Sequence, residues 1–337
     1  QIIPWNFPIL MAAWKLAPAL GAGNCVVLKP AESTPISILI LVELIADLLP
    51  PGVLNIVNGY GREAGMPLAT SKRIAKIAFT GSTTTGRVIA QAAANNLIPA
   101  TLELGGKSPF IVMDDCPDIE RAVQTAVGSI FFNQGESCNA PSRLLVHHKI
   151  KDAFVERALQ LLPQYQPADP RLPDTVMGAI VDRTQMDTVL SYIDKGRREG
   201  AALLAGGQAA RTDTGGFYVQ PTVFDGVNNQ MTIAREEIFG PVLSVMSFTD
   251  VQQAVQLAND NIYGLQASIW TRDINCAHGV ARALRVGTVH VNQYDEDDIT
   301  VPFGGYKQSG VGRDKSLHAF DKYTELKTTW IRIDSPV

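Results

Sequence analysis

The chain has 337 residues, a formal net charge of -4, 46% hydrophobic residues and 18% charged residues. This balance argues against a disordered chain and predicts a globular protein with a large core and about two domains. No run of Lys and Arg is present, so we expect no nucleic-acid partner. The longest apolar stretch, residues 36–49, contains Glu43 and Asp47 and is too short for a membrane span. We interpret it as a helix with a buried face.

Cysteine and histidine spacing argues against both a metal site and a disulfide framework. The cysteines at positions 25, 116, 138 and 276 form no CxxC pair, and the histidines lack the spacing of metal ligands. Reduced thiols and no recognisable signal peptide predict a cytoplasmic location. The first residue is Gln1, and residues 1–3 have the character of a strand that enters from upstream, so we expect a fragment of a longer protein.

The first hundred residues alternate between β-rich and helical segments. Strands are predicted at residues 25–29, 53–57, 74–79 and 101–104, with helices at 34–49, 61–70 and 83–95. This alternation indicates an α/β fold in which helices cover both faces of a parallel sheet. We assign residues 1–104 to a first domain.

The same pattern restarts after Gly105 and Gly106 and defines a second domain at residues 105–312. Strands are predicted at 110–113, 143–147, 243–248, 267–271 and 288–291, and helices at 118–132, 251–259 and 274–284. Residues 163–174 and 206–216 are interpreted as loops. A C-terminal segment, residues 313–337, carries a separate β-rich run at 323–333.

Cys138 follows a Gly- and Asn-rich stretch, Asn133-Gln134-Gly135-Glu136-Ser137, just beyond a predicted helix. Such a stretch lets the backbone turn sharply and present a side chain to a cleft. A thiol whose pKa is ordinarily about 8.5 needs only a modest shift to act as a nucleophile. A buried structural thiol is the alternative interpretation.

Glu103 lies at the end of a predicted strand, between Leu102 and Leu104 and before two glycines. Apolar flanks are difficult to reconcile with a solvated face, so we interpret Glu103 as a general base with a raised pKa. Capping of the following turn is the alternative. The turn at residues 80–86 joins a strand to a helix and is suited to a pyrophosphate, although Gly/Thr-rich turns also simply cap helices.

Several short motifs occur in one order along the chain. They are Pro4-Trp5-Asn6-Phe7-Pro8, Lys29-Pro30-Ala31-Glu32, Phe79-Thr80-Gly81-Ser82, Leu102-Glu103-Leu104-Gly105-Gly106, Gly135-Glu136-Ser137-Cys138, Glu236-Glu237-Ile238-Phe239-Gly240-Pro241 and Pro302-Phe303-Gly304-Gly305. The series resembles the aldehyde dehydrogenase superfamily over essentially the whole chain. The resemblance implies a Rossmann-like cofactor domain, a second α/β domain that bears the thiol, and a C-terminal oligomerisation strand. It also implies that the N-terminal third of the family's chain is absent.

The resemblance implies a role for individual residues. Cys138 would be the nucleophile, Glu103 the base for hydrolysis, and Asn6 an oxyanion donor with the Cys138 N–H. The cofactor would contact the following residues: Ile3, Pro4, Trp5, Lys29, Glu32, Gly81, Ser82, Gly86, Leu104, Glu237 and Phe239. Glu136 stands where Gln is commoner, and it would raise the Cys138 pKa if it were ionised and close.

Glu32 is expected to accept a hydrogen bond from a ribose 2′-OH and to repel a 2′-phosphate. NAD is therefore the predicted cofactor, with NADP as an alternative that Lys29 and flexibility would permit. A small aldehyde is the predicted partner, without nucleic acid or membrane, in a homodimer or homotetramer of the full-length protein.

Four consecutive acids at residues 295–298 precede Thr300–Gly305, which in this family helps to line the aldehyde entrance. They would attract a cationic group, unless they are simply a solvated loop. The motifs at 301–328 resemble a bacterial subgroup that oxidises γ-glutamyl-γ-aminobutyraldehyde or 4-guanidinobutyraldehyde. We therefore expect an ω-amino, ω-amido or ω-guanidino aldehyde from polyamine or arginine breakdown. The alternatives are a broad-specificity aliphatic aldehyde dehydrogenase, a CoA-acylating relative and an inactive structural fragment.

Overall fold

The computed structural model describes residues 1–294 and 298–334. Its α-helices, in chain order, are α1 (Pro8–Gly21), α2 (Ile36–Leu44), α3 (Met66–Thr70), α4 (Thr83–Asn96), α5 (Ile119–Phe131), α6 (Lys151–Leu161), α7 (Arg183–Arg198), α8 (Thr232–Arg235), α9 (Val251–Asn259) and α10 (Ile274–Ala283). None of the helices in these ranges is long and apolar enough to cross a membrane.

The strands belong to separate sheets. In chain order they are β1 (Val26–Leu28), β2 (Leu54–Ile56), β3 (Ile77–Thr80), β4 (Ala100–Glu103), β5 (Pro109–Val112), β6 (Arg143–His147), β7 (Ala202–Ala205), β8 (Ala209–Ala210), β9 (Tyr218–Val219), β10 (Thr222–Asp225), β11 (Val242–Phe248), β12 (Gln266–Trp270), β13 (Thr288–Val291) and β14 (Gly310–Val311).

The largest sheet has seven strands in the order β13-β12-β5-β6-β11-β10-β7. All its neighbouring strands are parallel except β7, which runs antiparallel to β10. Successive residues of a strand point to opposite faces, so Phe110 enters one hydrophobic core and Ile111 the other. This arrangement confirms the prediction of an α/β fold with a parallel sheet buried on both faces.

The first hundred residues build two smaller sheets. Strands β1 and β2 pair in parallel, and β3 pairs in parallel with β4. Ile2 lies between the two sheets and forms parallel bridges to Lys29 and to Phe79. Strand β14 returns from the end of the chain and pairs antiparallel with β4. The predicted domain boundaries at residues 104 and 312 stay predictions, although the sheets do change between β4 and β5.

Helix α2 differs from the sequence-based expectation. The predicted helix at 34–49 ends at Leu44 and is followed by a short 3-10 helix, Ala46–Leu48. We expected a buried face, but only Ile38 is fully buried, while Ile36, Ile40 and Leu44 are exposed. The helix is apolar on every side, so its sequence does not determine which side packs. The sequence analysis did not predict helices α1, α6, α7 and α8 or strands β7, β8, β9, β10 and β14, and β8 lies within the stretch 206–216 that was interpreted as a loop.

The predicted β-rich run at 323–333 does not form a strand within this chain, because residues 324–334 are neither helix nor strand. A β-strand needs a hydrogen-bonded neighbour, and none of the described residues supplies one. Leu326, Trp330, Ile331 and Ile333 are exposed. The proposed oligomerisation role of this segment stays a prediction.

Candidate active site

A cavity of about 520 Å³ is lined by residues from the two predicted domains, before and after residue 105. Its wall is built from the start of α1, the turn before α4, the end of β4, the loop at Cys138, residues 237–239 and one side of α7. The predicted site residues that line it are Pro4, Trp5, Asn6, Gly81, Ser82, Glu103, Cys138, Glu237 and Phe239. Tertiary structure thus brings together residues that lie far apart in the sequence.

The other predicted cofactor residues do not line this cavity. Ile3 and Leu104 are buried in the core, and Gly86 packs so closely against Leu104 that a Cβ atom would lie 2.5 Å from its side chain. Lys29 is buried, and its ammonium group lies 3.2 Å from Glu32 Oε2. Their contact with a cofactor stays a prediction, and for Ile3, Gly86 and Leu104 the structure shows packing.

Cys138 is half-buried and follows a tight turn, Phe132–Gly135. Its main chain passes close to Gly106, where a Cβ atom would lie 2.5 Å from the Cys138 carbonyl oxygen. Glycine at position 106 therefore allows the strand that carries Glu103 to approach the loop that carries the thiol.

Glu103 is the last residue of β4 and is 4% exposed. Neither carboxyl oxygen has a hydrogen-bond partner among the residues that the structure describes. Burial, reinforced by the nearby negative charge of Asp314, raises the pKa of Glu103 well above its ordinary value. A buried carboxyl with a raised pKa that faces a cavity has the properties expected of a proton acceptor.

The glycine-rich motif near the end of the chain borders the same carboxyl group. Gly304 adopts φ +156°, and a Cβ atom there would lie 2.9 Å from Glu103 Oε1. The absence of a side chain at 304 therefore leaves room for the carboxyl group.

Asn6 lies just before α1 and links the first residues of the chain to the loop at Cys138. Its side-chain Nδ2 donates to the carbonyl oxygen of Glu136 at 3.0 Å, and Asn133 Nδ2 donates to the Asn6 carbonyl oxygen at 3.1 Å. These two bonds hold the Asn6 amide beside the thiol loop.

Glu136, two residues before the thiol, is 3% exposed, and burial raises its pKa to about 8. Its side chain is consequently mostly neutral at pH 7, so the charge repulsion considered for the Cys138 thiol is weak there.

The part of the cavity near α4 is suited to a phosphate group of a dinucleotide. This helix begins at Thr83, and its N-cap residue Ser82 accepts a hydrogen bond from the Thr85 N–H at 3.2 Å. Ser82 and Gly81 both line the cavity beside that helix start, which favours a phosphate. The hydroxyl group of Thr80, another lining residue, is buried without a hydrogen-bond partner in the described structure.

Glu237 and Phe239 form another part of the wall. Burial raises the pKa of Glu237 to about 7, and Glu237 Oε1 accepts a hydrogen bond from the Gly106 N–H at 3.0 Å. Phe239 has a positive φ of 56°, and its ring packs edge-on against Trp5. Gln185 Nε2 donates to the Phe239 carbonyl oxygen at 2.8 Å, which holds this strained residue in place.

The sequence analysis missed several residues of the site. Helix α7 contributes Gln185, Thr188 and Tyr192, and an apolar wall is formed by Phe7, Leu10, Met11, Trp14, Phe132 and Phe303. A proline at the start of α1 and an Asp N-cap before α7 were available signals for these helices. Their orientation toward the cavity is a tertiary property.

A buried ion pair was also missed. Lys15 Nζ lies 2.6 Å from Asp314 Oδ2, and Lys322 Nζ lies 2.7 Å from Asp314 Oδ1. These ion pairs connect α1 to the C-terminal part of the chain, near Glu103.

The predicted acidic run at the entrance is described only at its last residue. Asp295, Glu296 and Asp297 lie outside the described residues. Asp298 is exposed and accepts hydrogen bonds from the Thr300 N–H and hydroxyl. The described residues contain no group of three or more His, Cys, Asp or Glu side chains that could hold a metal ion.

A thiol, a buried carboxyl and an amide around one cavity, beside a helix N-terminus, are the arrangement expected of a dinucleotide-dependent enzyme with a cysteine nucleophile. The chain belongs to the aldehyde dehydrogenase family, because residues 1–329 match the model of that family. This confirms the resemblance and the class of enzyme predicted from the motifs.

Individual relatives also support membership of the aldehyde dehydrogenase family. An aldehyde dehydrogenase of Rhodospirillum rubrum is 55% identical, with 99% of this chain and 67% of that protein covered. The structure of a γ-glutamyl-γ-aminobutyraldehyde dehydrogenase from Burkholderia cenocepacia is 57% identical with a TM-score of 0.95, covering 97% of this chain and 66% of that one.

An indole-3-acetaldehyde dehydrogenase solved with NAD+ is 53% identical with a TM-score of 0.97, covering 98% of this chain and 68% of that chain. The bound NAD+ in that relative supports the predicted cofactor. The chain thus spans about two thirds of the length of the relatives it matches.

Proposed function

We propose that this chain carries the catalytic centre of an enzyme that oxidises an aldehyde to a carboxylic acid with NAD as electron acceptor. The observation that carries the proposal is the convergence of Cys138, Glu103 and Asn6 on one cavity. The chain's membership of the aldehyde dehydrogenase family supports oxidation of an aldehyde as the reaction.

In the first step the Cys138 sulfur attacks the aldehyde carbon and forms a thiohemiacetal. The negative charge that develops on the oxygen is stabilised by Asn6 Nδ2 and by the Cys138 N–H. One such donor is worth roughly 3–4 kcal/mol in related acyl-transfer reactions. Asn6 is suited to this task because the Glu136 carbonyl already orients its amide group.

In the second step the C–H bond breaks, its electron pair leaves as hydride, and a thioester to Cys138 remains. NAD, when bound, supplies the hydride acceptor. Ser82 and Gly81 would hold its phosphate groups, and Glu237 and Phe239 would border its nicotinamide end.

In the third step Glu103 takes a proton from water, which attacks the thioester and releases the acid. The thiolate of Cys138 is regenerated. A base of this kind typically contributes about 10²–10⁴-fold to the rate. Glu103 favours water over CoA as the acceptor of the acyl group.

We propose an ω-amino, ω-amido or ω-guanidino aldehyde as the substrate. Support comes from the acids at 295–298 and from the similarity to a γ-glutamyl-γ-aminobutyraldehyde dehydrogenase. A cationic tail would be attracted to the acids.

An aldehyde with an apolar tail is the second candidate substrate. It is favoured by the aromatic wall of the cavity, which includes Trp14, Phe132 and Phe303, and by the similarity to an indole-3-acetaldehyde dehydrogenase. The cavity offers such a tail contact area without charge.

The full-length enzyme is further proposed to be a cytoplasmic homodimer or homotetramer. The free cysteines are consistent with a reducing compartment. The exposed apolar side chains of residues 326–333 are consistent with burial against a second subunit.

NADH formation with 4-guanidinobutyraldehyde, indole-3-acetaldehyde and propanal tests the proposal, with Cys138→Ala as the control. We expect turnover that is fastest with the guanidino aldehyde and disappears in Cys138→Ala. Faster turnover of the indole aldehyde would favour the second candidate, and equal rates on propanal would favour broad specificity. NADH only when CoA is added would favour a CoA-acylating enzyme. No NADH from any aldehyde would contradict catalysis by this chain.

A further inference from the structure

The loop that carries Cys138 adopts a backbone conformation that local sequence alone does not favour. Asn133 has φ 48° and ψ 41°, and Gln134 has φ 58° and ψ 22°. Gly135 follows with φ 72°. Asparagine tolerates this left-handed region, but Gln134 loses roughly 1–2 kcal/mol there, so other contacts must hold the loop.

Two buried or half-buried side chains of the loop bind one segment of main chain, residues 178–181. Gln134 Oε1 accepts a hydrogen bond from the Gly178 N–H at 3.0 Å. Glu136 Oε1 accepts one from the Val181 N–H at 3.1 Å. The Gln134 side chain also donates from Nε2 to Asn133 Oδ1 at 3.4 Å within the loop. The loop is thereby attached to the segment at two points.

The opposite side of the loop is limited by a close contact. A Cβ atom at Gly135 would lie 2.2 Å from the Gly240 carbonyl oxygen, so this carbonyl leaves the loop no room to move toward it. The Glu136 carbonyl oxygen meanwhile accepts the Asn6 side-chain N–H. Glu136 is therefore hydrogen-bonded to the main chain of residues 178–181 through its carboxyl group and to the Asn6 side chain through its carbonyl group.

We propose that Gln134 and Glu136 are positioning residues, which bind residues 178–181 and so set the distance between the Cys138 thiol and the Asn6 amide. The inference rests on the proposed function, in which Cys138 is the nucleophile and Asn6 an oxyanion donor. Neither Gln134 nor Glu136 lines the cavity, so both act through the loop and not on the substrate.

The bond from Val181 needs an acceptor at position 136 but not a charge. Burial raises the pKa of Glu136 to about 8, opposed by its bonds to Val181 and Gln134 and reinforced by the nearby Asp182. Its carboxyl is consequently mostly neutral at pH 7. A glutamine at 136 would offer an equivalent oxygen, whereas a leucine would offer none.

The experiment compares Gln134→Leu, Glu136→Leu and Glu136→Gln in the purified chain at pH 7. Gln166→Leu is the control, because Gln166 is an exposed glutamine that donates to the Leu162 carbonyl oxygen and lies outside the cavity. The readouts are kcat and KM for NAD, the alkylation rate of Cys138 by iodoacetamide, and deuterium exchange at residues 178–181.

We expect both leucine variants to lower kcat at least about tenfold with KM for NAD within about twofold, because a small misplacement of a nucleophile is costly. Cys138 should be alkylated at least about threefold faster, since releasing the loop exposes a half-buried thiol. Glu136→Gln and Gln166→Leu should match the unsubstituted chain in both readouts within about twofold.

Unchanged kcat and unchanged alkylation in both leucine variants would overturn the proposal. If the unsubstituted chain makes no NADH, the proposed function fails, but faster alkylation in the leucine variants still supports the positioning role. If the leucine variants do not fold, exchange in the unsubstituted chain decides. Slow exchange at the Gly178 and Val181 amides supports the two bonds, and fast exchange at both overturns them.

Discussion

At the residue scale the site is distinguished by carboxyl groups, in and next to the cavity, whose pKa values are raised by burial. Glu103 and Glu136 are buried, Glu237 is half-buried, and all three have pKa values above the ordinary range. Glu136 and Glu237 have pKa values of about 8 and about 7. Their protonation therefore changes across the range in which such an enzyme would be assayed. Only Glu103 and Glu237 line the cavity.

Glu103→Gln is expected to slow thioester hydrolysis by about 10²–10⁴-fold, because the amide accepts no proton from water. The first turnover should still produce one equivalent of NADH, since hydride transfer precedes hydrolysis. In the unsubstituted chain kcat should rise with pH through the raised pKa of Glu103, because only the ionised carboxyl acts as a base. Rapid-mixing NADH traces between pH 6 and 10 check both effects.

Glu120→Gln, a change at an exposed position on α5, is the control for that series. A Glu103→Gln enzyme that loses the first-turnover NADH as well would show that Glu103 acts before hydrolysis. A kcat that is flat with pH would mean that another group limits the rate.

At the element scale, helix α4 shows how far local signals reach. It was predicted at residues 83–95 and is observed at Thr83–Asn96, because Ser82 caps its first turn and Leu97 ends it in a left-handed conformation. Helix α1 was missed although Pro8 stands at its start. Its side chains are almost all apolar, so it lacks the alternation of polar and apolar residues that identifies an amphipathic helix.

The ion pair between α1 and the C-terminal part of the chain gives a prediction at this scale. Burial alone would raise the pKa of Asp314, but the ammonium groups of Lys15 and Lys322 hold it below the ordinary value. Asp314→Asn removes the carboxylate and leaves these buried charges without their partner. We expect the free energy of unfolding to fall by about 3–5 kcal/mol in urea denaturation.

Asp194→Asn is the matched control, because Asp194 pairs with Arg198 on the exposed side of α7 at 2.7 Å. An exposed pair of this spacing contributes about 0.3–0.5 kcal/mol. Equal losses in the two variants would mean that the buried pair adds nothing beyond a surface pair.

At the scale of the whole molecule, the site exists only because separate sheets meet. Glu103 ends β4 in the small sheet, while Cys138 precedes β6 of the seven-stranded sheet. Strand β14, from the C-terminal part of the chain, pairs with β4 beside this junction. A ligand that bridges the two halves should therefore stabilise the whole fold.

Cofactor preference is the prediction at this scale. A ligand at 100 times its Kd adds about 2.7 kcal/mol to the free energy of unfolding, so NAD should raise the melting temperature. NADP should raise it less, because Glu32, half-exposed beside Lys29, would repel a 2′-phosphate. Glu32→Gln should reduce the difference between the melting-temperature increases that NAD and NADP produce. Thermal denaturation at matched dinucleotide concentrations measures both increases.

Glu43→Gln, an acid on α2 away from the motif, is the control. Equal stabilisation by NAD and NADP in the unsubstituted chain would remove the basis for preferring NAD. Stabilisation by neither would mean that this chain does not bind a dinucleotide by itself.

The sequence by itself determined the α/β class and the strands that carry Glu103 and follow Cys138, because hydrophobic periodicity and the positions of glycines are local properties. The set of candidate site residues came from the resemblance of the ordered motifs to the aldehyde dehydrogenase superfamily. Only the tertiary structure decided that Asn6 is bonded to the thiol loop, that α7 and the apolar side chains complete the cavity, and that Lys15 meets Asp314. It also decided that α2 exposes most of its apolar side chains and that residues 324–334 form no strand within this chain. These features depend on which surfaces meet across long separations in sequence, and no local pattern encodes that choice.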